Sequence, residues 1–179
     1  MINIFFTKTH DRAEIPIRSH IGIDKEGNSG TGDSGYDLVS VVNTTIPAGS
    51  QGASTIEEVP LSKYTDINKH YKVGSAIVDV GLTVAYIQPG FWFRIEGRSG
   101  LGFKHGISPH FGIIDNGYRG DLAVKLYNFT DVDYNVSIGD RIAQIVVYPL
   151  IDANMSFSAF SISDSVSDRG DGGFGSTGK

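Results

Sequence analysis

Several short stretches of this chain carry side chains suited to chemistry on anionic oxygens. Gly97-Arg-Ser-Gly-Leu-Gly102 sets a guanidinium, a hydroxyl and main-chain amides in one tight loop, and each of these groups donates to phosphate. The competing reading is a glycine-rich hairpin whose Arg98 is merely solvated, and a short glycine motif does not decide between the two. In Gly112-Ile-Ile-Asp-Asn-Gly-Tyr-Arg-Gly120, two isoleucines lead into Asp115. That predicts a carboxylate at a strand end against an apolar wall, where desolvation suits it to act as a general base. The plainer alternative is a type I′ turn at Asn116-Gly117 that Asp115 only supports. Gly139-Asp-Arg-Ile-Ala-Gln144 runs into Ile145-Val-Val-Tyr148. A glutamine at the start of a buried strand must satisfy its amide on backbone, the commoner outcome, or on a ligand. Asp140 and Arg141 read as a structural ion pair rather than as catalysts. The terminal stretch Arg169-Gly-Asp-Gly-Gly-Phe-Gly-Ser-Thr-Gly178 sets one arginine, one aromatic and a Ser-Thr pair among glycines. It reads as a lid that stacks Phe174 on a flat ligand while Arg169, Ser176, Thr177 and backbone amides hold anionic oxygens.

Metal ligation has no comparable pattern. His105 and His110 are five apart and His10, His20 and His70 are scattered, so no metal-ligand spacing is present. A hard cation is expected to arrive on a phosphate ligand rather than in a protein-built cage.

The elements that must position these groups read as strands: Ile2 to Phe6, Asp37 to Val42, Ile77 to Tyr86, Phe91 to Ile95, Asp121 to Asn128 and Ile142 to Tyr148. Each is short and rich in β-branched or aromatic residues. The clearest alternation sets Leu122, Val124 and Leu126 against Ala123, Lys125 and Tyr127. Turn signals at Pro47-Ala-Gly49, Gln88-Pro-Gly90, Asn116-Gly117 and Ser137-Ile-Gly-Asp140 separate the runs, which together predict an antiparallel barrel or sandwich. His105 and His110 fall in a predicted hairpin. Between Glu57 and Tyr71, the spacing of Leu61, Tyr64, Ile67 and Tyr71 predicts a short amphipathic helix with Pro60 in its first turn. The serine-rich stretch Ser156 to Ser167 reads as an extended arm ending in a mobile tail.

Composition sets the outer limits. The 179 residues fit one domain with a real core. No apolar run approaches the roughly 18 residues of a membrane span, and the N-terminus lacks the form of a secretory signal, so a cytoplasmic protein without membrane contact is expected. Absence of cysteine removes disulfides, thiolate zinc sites and cysteine nucleophiles. A net charge of -5 argues against a broad basic face for nucleic acid, yet leaves room for a locally basic pocket. Glycine is in excess, at 23 residues against a usual ~7%. Seven of them lie between Gly97 and Gly120 and five within Gly170 to Gly178, where turn-making alone would have spread them more evenly.

Together with Ser34-Gly-Tyr-Asp-Leu38, these segments in this order resemble the five motifs of the trimeric dUTP pyrophosphatases, or dUTPases. The resemblance spans nearly the whole chain from Phe5 to Lys179. It implies an all-β, jelly-roll-like distorted barrel that forms a homotrimer, with active sites assembled from three chains and the C-terminal arm exchanged. The implied layout is a barrel domain over 1–165 and a flexible lid over 166–179. The implied reaction is dUTP plus water giving dUMP and pyrophosphate with Mg²⁺, which keeps uracil out of DNA and supplies dUMP for dTMP synthesis. By the resemblance, Asp115 deprotonates the attacking water. Arg98, Ser99, Gly100 and Gln144 hold the phosphates, with Ser99 also stabilising charge on the bridging oxygen, and Asp37 reaches the magnesium through water. Tyr118 packs on the deoxyribose. Main chain between Gly106 and Gly112 reads the uracil edge, with His110, Phe111, Gly112 and Ile114 lining that pocket. Phe174 covers the base, and Arg169, Gly175, Ser176 and Thr177 grip the γ-phosphate.

Two departures from the family pattern stand out. Gly117 occupies the place of the usual acidic residue before the third-motif tyrosine, which predicts tuning rather than loss of activity. The distance from Leu38 to Arg98 is longer than usual by about the length of Gln51 to Ser75, an insertion expected on the surface and a candidate contact for a protein partner; a smaller excess lies around Ile21 to Gly32. Two rival readings accompany the resemblance. One is a dCTP deaminase on the same fold, for which Glu96 is the only nearby glutamate. The other is a regulatory binding protein that keeps the nucleotide site as a switch and uses the insertion to contact another protein.

Overall fold

The computed structural model describes residues 2–23, 25–27, 32–51 and 71–157. The first part of the chain forms β1 (Ile4–Lys8), β2 (Tyr36–Val39), β3 (Thr44–Ile46), β4 (Ser50–Gln51), β5 (Tyr71–Lys72) and β6 (Gly74–Ile87). There follow β7 (Phe91–Glu96), α1 (Ser99–His105), β8 (Ile107–Pro109), β9 (Gly112–Ile114), β10 (Asp121–Asn128), β11 (Tyr134–Val136) and β12 (Arg141–Pro149). Two four-stranded antiparallel sheets, ordered β1-β6-β10-β8 and β2-β12-β7-β9, carry the architecture. The all-β, jelly-roll-like expectation holds, and no helix among the described residues is long and apolar enough to cross a membrane.

The core lies between the sheets. In β10 the alternation appears as expected: Leu122, Val124 and Leu126 are buried while Ala123 and Lys125 face out. They meet Val78, Val80, Leu82 and Val84 of β6 from the same sheet, and Phe93, Ile95, Ile142 and Ile145 from the other. Burying each such side chain is worth about 1.5–3 kcal/mol. Phe6 and Phe93 meet edge to face across the layers, with centroids 6.3 Å apart.

Gly81 shows why a glycine is needed inside the longest strand. The register of β10 on β6 slips between Leu122 and Ala123, and Gly81 sits in that bulge with φ 66°. A Cβ there would lie 2.8 Å from the Cβ of His10, because the segment after β1 closes on this spot through Thr9 N–H donating to the Gly81 carbonyl at 2.9 Å. Bulges commonly take this form.

Each predicted strand is present: β10 has the predicted ends, and the others differ at one or both ends. The second stops at Val39 because Ser40 turns the chain, its hydroxyl donating to the Val42 carbonyl at 2.7 Å. The predicted hairpin around His105 and His110 is corrected. β8 pairs with β10 in one sheet and β9 pairs with β7 in the other, so residues 106–112 cross between sheets. The helix predicted between Glu57 and Tyr71 lies outside the described residues apart from Tyr71 itself. At the base of the insertion, Gln51 faces Tyr71 and Ser50 faces Lys72.

Candidate active site

One end of the second sheet gathers the side chains of three motifs. Gln144 on β12 lies opposite Asp37 on β2 and opposite Glu96 on β7, and β7 runs directly into Gly97 and Arg98. Asp37 is 8% exposed and carries the cluster's negative charge. Arg98 donates from Nε to Asp37 Oδ1 at 2.8 Å and from Nη1 to the Arg141 carbonyl at 3.0 Å. Arg141 Nη1 reaches Asp37 Oδ2 at 3.2 Å and Ser19 Oγ at 2.6 Å, while the Ser19 hydroxyl donates to Asp37 Oδ2 at 2.7 Å. With Nε and Nη1 held inside the protein, Arg98 keeps its Nη2 edge for an anion; it is not a merely solvated arginine. The expected Asp140–Arg141 pair is corrected: Arg141 turns to Asp37, and Asp140 Oδ2 accepts from the Ser137 N–H at 2.8 Å to close a turn.

Gln144 Nε2 donates to the Gly97 carbonyl at 2.6 Å, which satisfies one of its two N–H groups on backbone. The fit depends on Gly35, where a Cβ would stand 1.8 Å from Gln144 Oε1. Beyond Arg98 the chain forms α1 rather than the expected tight loop or hairpin. Its first amides, those of Ser99 and Gly100, have no intrahelical acceptor. Leu101 packs on the core, Lys104 and His105 occupy the last turn, and Gly106 at φ 63° ends the helix.

Asp115 lies at the other end of the same sheet. Gly112 faces Ile95 and Ile114 faces Phe93, which brings Asp115 beside Trp92, six residues before Arg98 and thus about 20 Å from it at ~3.3 Å per residue. The expected apolar wall is there: a groove of about 740 Å³ beside Asp115 is lined by Trp92, Ile113 and Tyr148 among others, with the Trp92 and Tyr148 rings stacked at 4.9 Å. The expected desolvation is not, because Asp115 is exposed within one chain. The turn after it is not type I′, since Gly117 has no positive φ and that turn requires one. It closes instead through Tyr118 N–H donating to the Asp115 carbonyl at 3.0 Å. Asn116 Nδ2 points inward to the carbonyls of Ile87, Gln88 and Phe91, at 3.2, 2.9 and 2.9 Å. Tyr118 donates its hydroxyl to the Asp121 carbonyl at 2.7 Å, and Arg119 Nη1 donates to the carbonyls of Asn116 and Tyr118.

The crossing segment links the two ends. His110 N–H donates to the Lys125 carbonyl at 2.7 Å and its Nδ1 lies 3.3 Å from Tyr127 Oη. Phe111 is exposed, with the Arg94 guanidinium 5.5 Å from its ring centre. Glu96, the residue a deaminase reading would use, stands 3.0 Å from Arg94 Nε. Asp37, Arg98 and Gln144 are therefore together, Asp115 and Tyr118 stand apart from them, and His110, Phe111, Gly112 and Ile114 run between. Arg169, Phe174, Gly175, Ser176 and Thr177 lie outside the described residues.

Sequence reasoning passed over Ser19, the reach of Arg141 and the anchoring by Asn116. Only Asn116 carried a signal, as the one carboxamide in its turn. Among the described residues no group of three His, Cys, Asp or Glu is placed to hold a metal ion. Asp37 Oδ2 already takes two donors and Oδ1 one, so this carboxylate suits a cation reached through water and not one bound directly.

A family model described as dUTPase matches residues 64–178. Among curated relatives, the deoxyuridine 5'-triphosphate nucleotidohydrolase of Candida albicans is 39% identical over 145 residues, covering 81% of this chain and 75% of its own. The protein of that name from Arabidopsis thaliana is 35% identical over 144 residues, covering 80% and 70%. The one from Paramecium bursaria Chlorella virus 1 is 34% identical over 147 residues, covering 82% and 84%. Among solved structures, the Staphylococcus bacteriophage 80alpha dUTPase with dUPNHPP superposes with a TM-score of 0.69 at 21% identity over 99% of each chain. A mutant dUTPase from phage phi11 of S. aureus, described with a structural Mg(II) ion, superposes at 0.61 with 18% identity over 89% and 98%. At these identities the two structures establish a shared fold.

Proposed function

The chain belongs to the dUTPase family, and from that premise we propose that it is a dUTP diphosphatase, hydrolysing dUTP to dUMP and pyrophosphate. In this reading water attacks the α-phosphorus, the new P–O bond forms as the bond to the β-phosphate bridging oxygen breaks, and Asp115 takes the water's proton. Arg98, Ser99, Gly100 and Gln144 hold the phosphates, and the Ser99 hydroxyl faces the charge that develops on the bridging oxygen. The support lies in the geometry around Asp37, which orients Arg98 before any ligand arrives and leaves one guanidinium edge outward. Main chain of the crossing segment 106–112 reads the uracil edge and Tyr118 lies under the sugar. Arg169, Phe174, Gly175, Ser176 and Thr177 close over the nucleotide.

Magnesium fits this arrangement only as an ion carried by the triphosphate, with Asp37 beyond its water shell; when bound, it would supply neutralisation of phosphate charge.

The observation that carries the assembly is the separation within one chain. A triphosphate is a few atoms long, whereas Asp115 and Arg98 are about 20 Å apart along their sheet. In this reading one copy supplies the acid and another the guanidinium, as the proposed homotrimer allows. An apolar arm supports it: Leu150, Ile151, Met155 and Phe157 leave β12 exposed. So does a groove of about 310 Å³ at the edges of β1 and β2 that includes Phe6, Tyr36 and Val147. Exchange of that arm between copies is part of the proposal.

The test is pyrophosphate release from dUTP, dCTP, dTTP and UTP, with and without magnesium. Turnover confined to dUTP and enhanced by magnesium is expected. Comparable cleavage of dTTP sinks the base-reading proposal, and ammonia release from dCTP sinks the hydrolase reading in favour of a deaminase.

A further inference from the structure

No described residue donates to the Asp115 carboxylate, so its aim depends on the main chain that carries it. On one side that chain is held by β9 pairing with β7. On the other side, residues 115–118 leave the sheet. Two side chains tie them to other elements: Tyr118, whose hydroxyl donates to the Asp121 carbonyl at the start of β10, and Asn116, whose Nδ2 lies within 3.2 Å of the carbonyls of Ile87, Gln88 and Phe91. Those carbonyls belong to the β6–β7 turn, itself fixed by Gln88 N–H donating to the Asn3 carbonyl at 2.9 Å and by Leu150 N–H donating to the Gly90 carbonyl at 2.8 Å. Two N–H bonds serve three acceptors, so at least one is shared. An aspartate here would face three carbonyls with no donor, and an alanine would leave them to water. The other contacts do not reach the β6–β7 turn: Arg119 donates to carbonyls of its own turn, and Tyr118 ties only the far end of 115–118, three residues on from Asp115, to β10.

We propose that Asn116 is a positioning residue for the reaction, holding Asp115 at the distance and angle from which it meets the attacking water. The proposal rests on the reading of Asp115 as the general base. Misplacement of a reacting group by about 1 Å is enough to cost about a hundredfold in rate.

The experiment uses the full chain with Asn116→Ala, Asn116→Asp and the milder Asn116→Ser, which keeps one donor in the turn. Each is compared with Asp115→Asn for kcat, KM, thermal unfolding and Kd of a non-hydrolysable imido analogue of dUTP. The Ala and Asp variants are expected to lose about ten- to a hundredfold in kcat, with KM and analogue Kd within about threefold of the parent, and Ser is expected to fall between. Placed on Asp115→Asn, Asn116→Ala is expected to add less than about twofold, since a residue acting through Asp115 has nothing left to act on. Folded Asn116 variants with parental kcat beside an inactive Asp115→Asn overturn the positioning role alone, as do additive losses, KM rising in step with the loss of kcat, or failure of all three variants to fold. An active Asp115→Asn overturns the base reading and this proposal with it.

Discussion

Asp37 and Gly35 show how neighbouring positions do separate work at the phosphate end. Asp37 is nearly buried, and two guanidiniums and a hydroxyl meet its oxygens, as a buried carboxylate requires. Two residues earlier the absence of a side chain matters, because a Cβ at Gly35 would occupy the place of the Gln144 amide. Gly35→Ala is expected to swing that flexible side chain away from the Gly97 carbonyl, at a stability cost near ~1 kcal/mol for the lost hydrogen bond. Turnover is expected to fall by about tenfold or more because a phosphate donor has moved. Steady-state kinetics beside thermal unfolding check it, and parental turnover would show that Gln144 does not need its seat. Arg98 was legible as a candidate because its type donates to phosphate, and Asp37 through the family motif it lies in. Their partners were not: Arg98 and Asp37 are 61 positions apart, and Arg141 and Asp37 are 104 apart.

Among the elements, the segment between β1 and β2 does more than connect them. Ile17 forms a bridge with Asp37, Arg18 lies 5.3 Å from the Tyr36 ring centre, and Ser19 completes the Asp37 cluster. Its loop is closed by His20 and Asp33. The His20 N–H donates to Asp33 Oδ2 at 2.9 Å, His20 Nδ1 lies 3.0 Å from the same oxygen, and Asp33 N–H donates to the His20 carbonyl. The hydrogen bond from the His20 ring, followed by that from its N–H, holds the Asp33 carboxyl below its ordinary 3.8. A carboxylate whose value is lowered by folding stabilises the closed loop above the unfolded value, and that contribution disappears as pH falls through the lowered one. The protection of the His20 and Asp33 amides, taken relative to the intrinsic exchange rate at each pH, should therefore be high near neutrality and fall below about pH 4. Asp33→Asn should lack that protection at every pH; equal protection in the two proteins across that range rules the clasp out. The sequence signalled an excess of residues here, but hydrogen bonds that close a loop from His20 to Asp33 leave no periodic trace.

For the whole molecule, the decisive fact is that one sheet carries Asp115 at one end and Asp37, Gln144 and the approach to Arg98 at the other. Mixed assemblies test this directly. Asp115→Asn copies retain an intact Arg98 end and Arg98→Ala copies retain Asp115. Each alone is expected to be inactive, and an equal mixture assembled together should regain about a quarter of parental activity, the share of sites that draw both intact parts from different copies. A mixture as inactive as its components would place the whole site within one chain. Much of this protein was determined by its sequence alone: an all-β chain of short strands, a core alternation in β10, and chemistry concentrated in glycine-rich segments. Side-chain alternation, turn residues and donor types are properties of residues within a few positions of each other. The tertiary structure alone decided that 106–112 crosses between sheets, that Arg141 serves Asp37 rather than Asp140, that Asn116 anchors the turn of Asp115, and that the two halves of the chemistry face apart. Each of these depends on strand register and on which distant backbone groups come within about 3 Å of each other, which only the packed sheets specify.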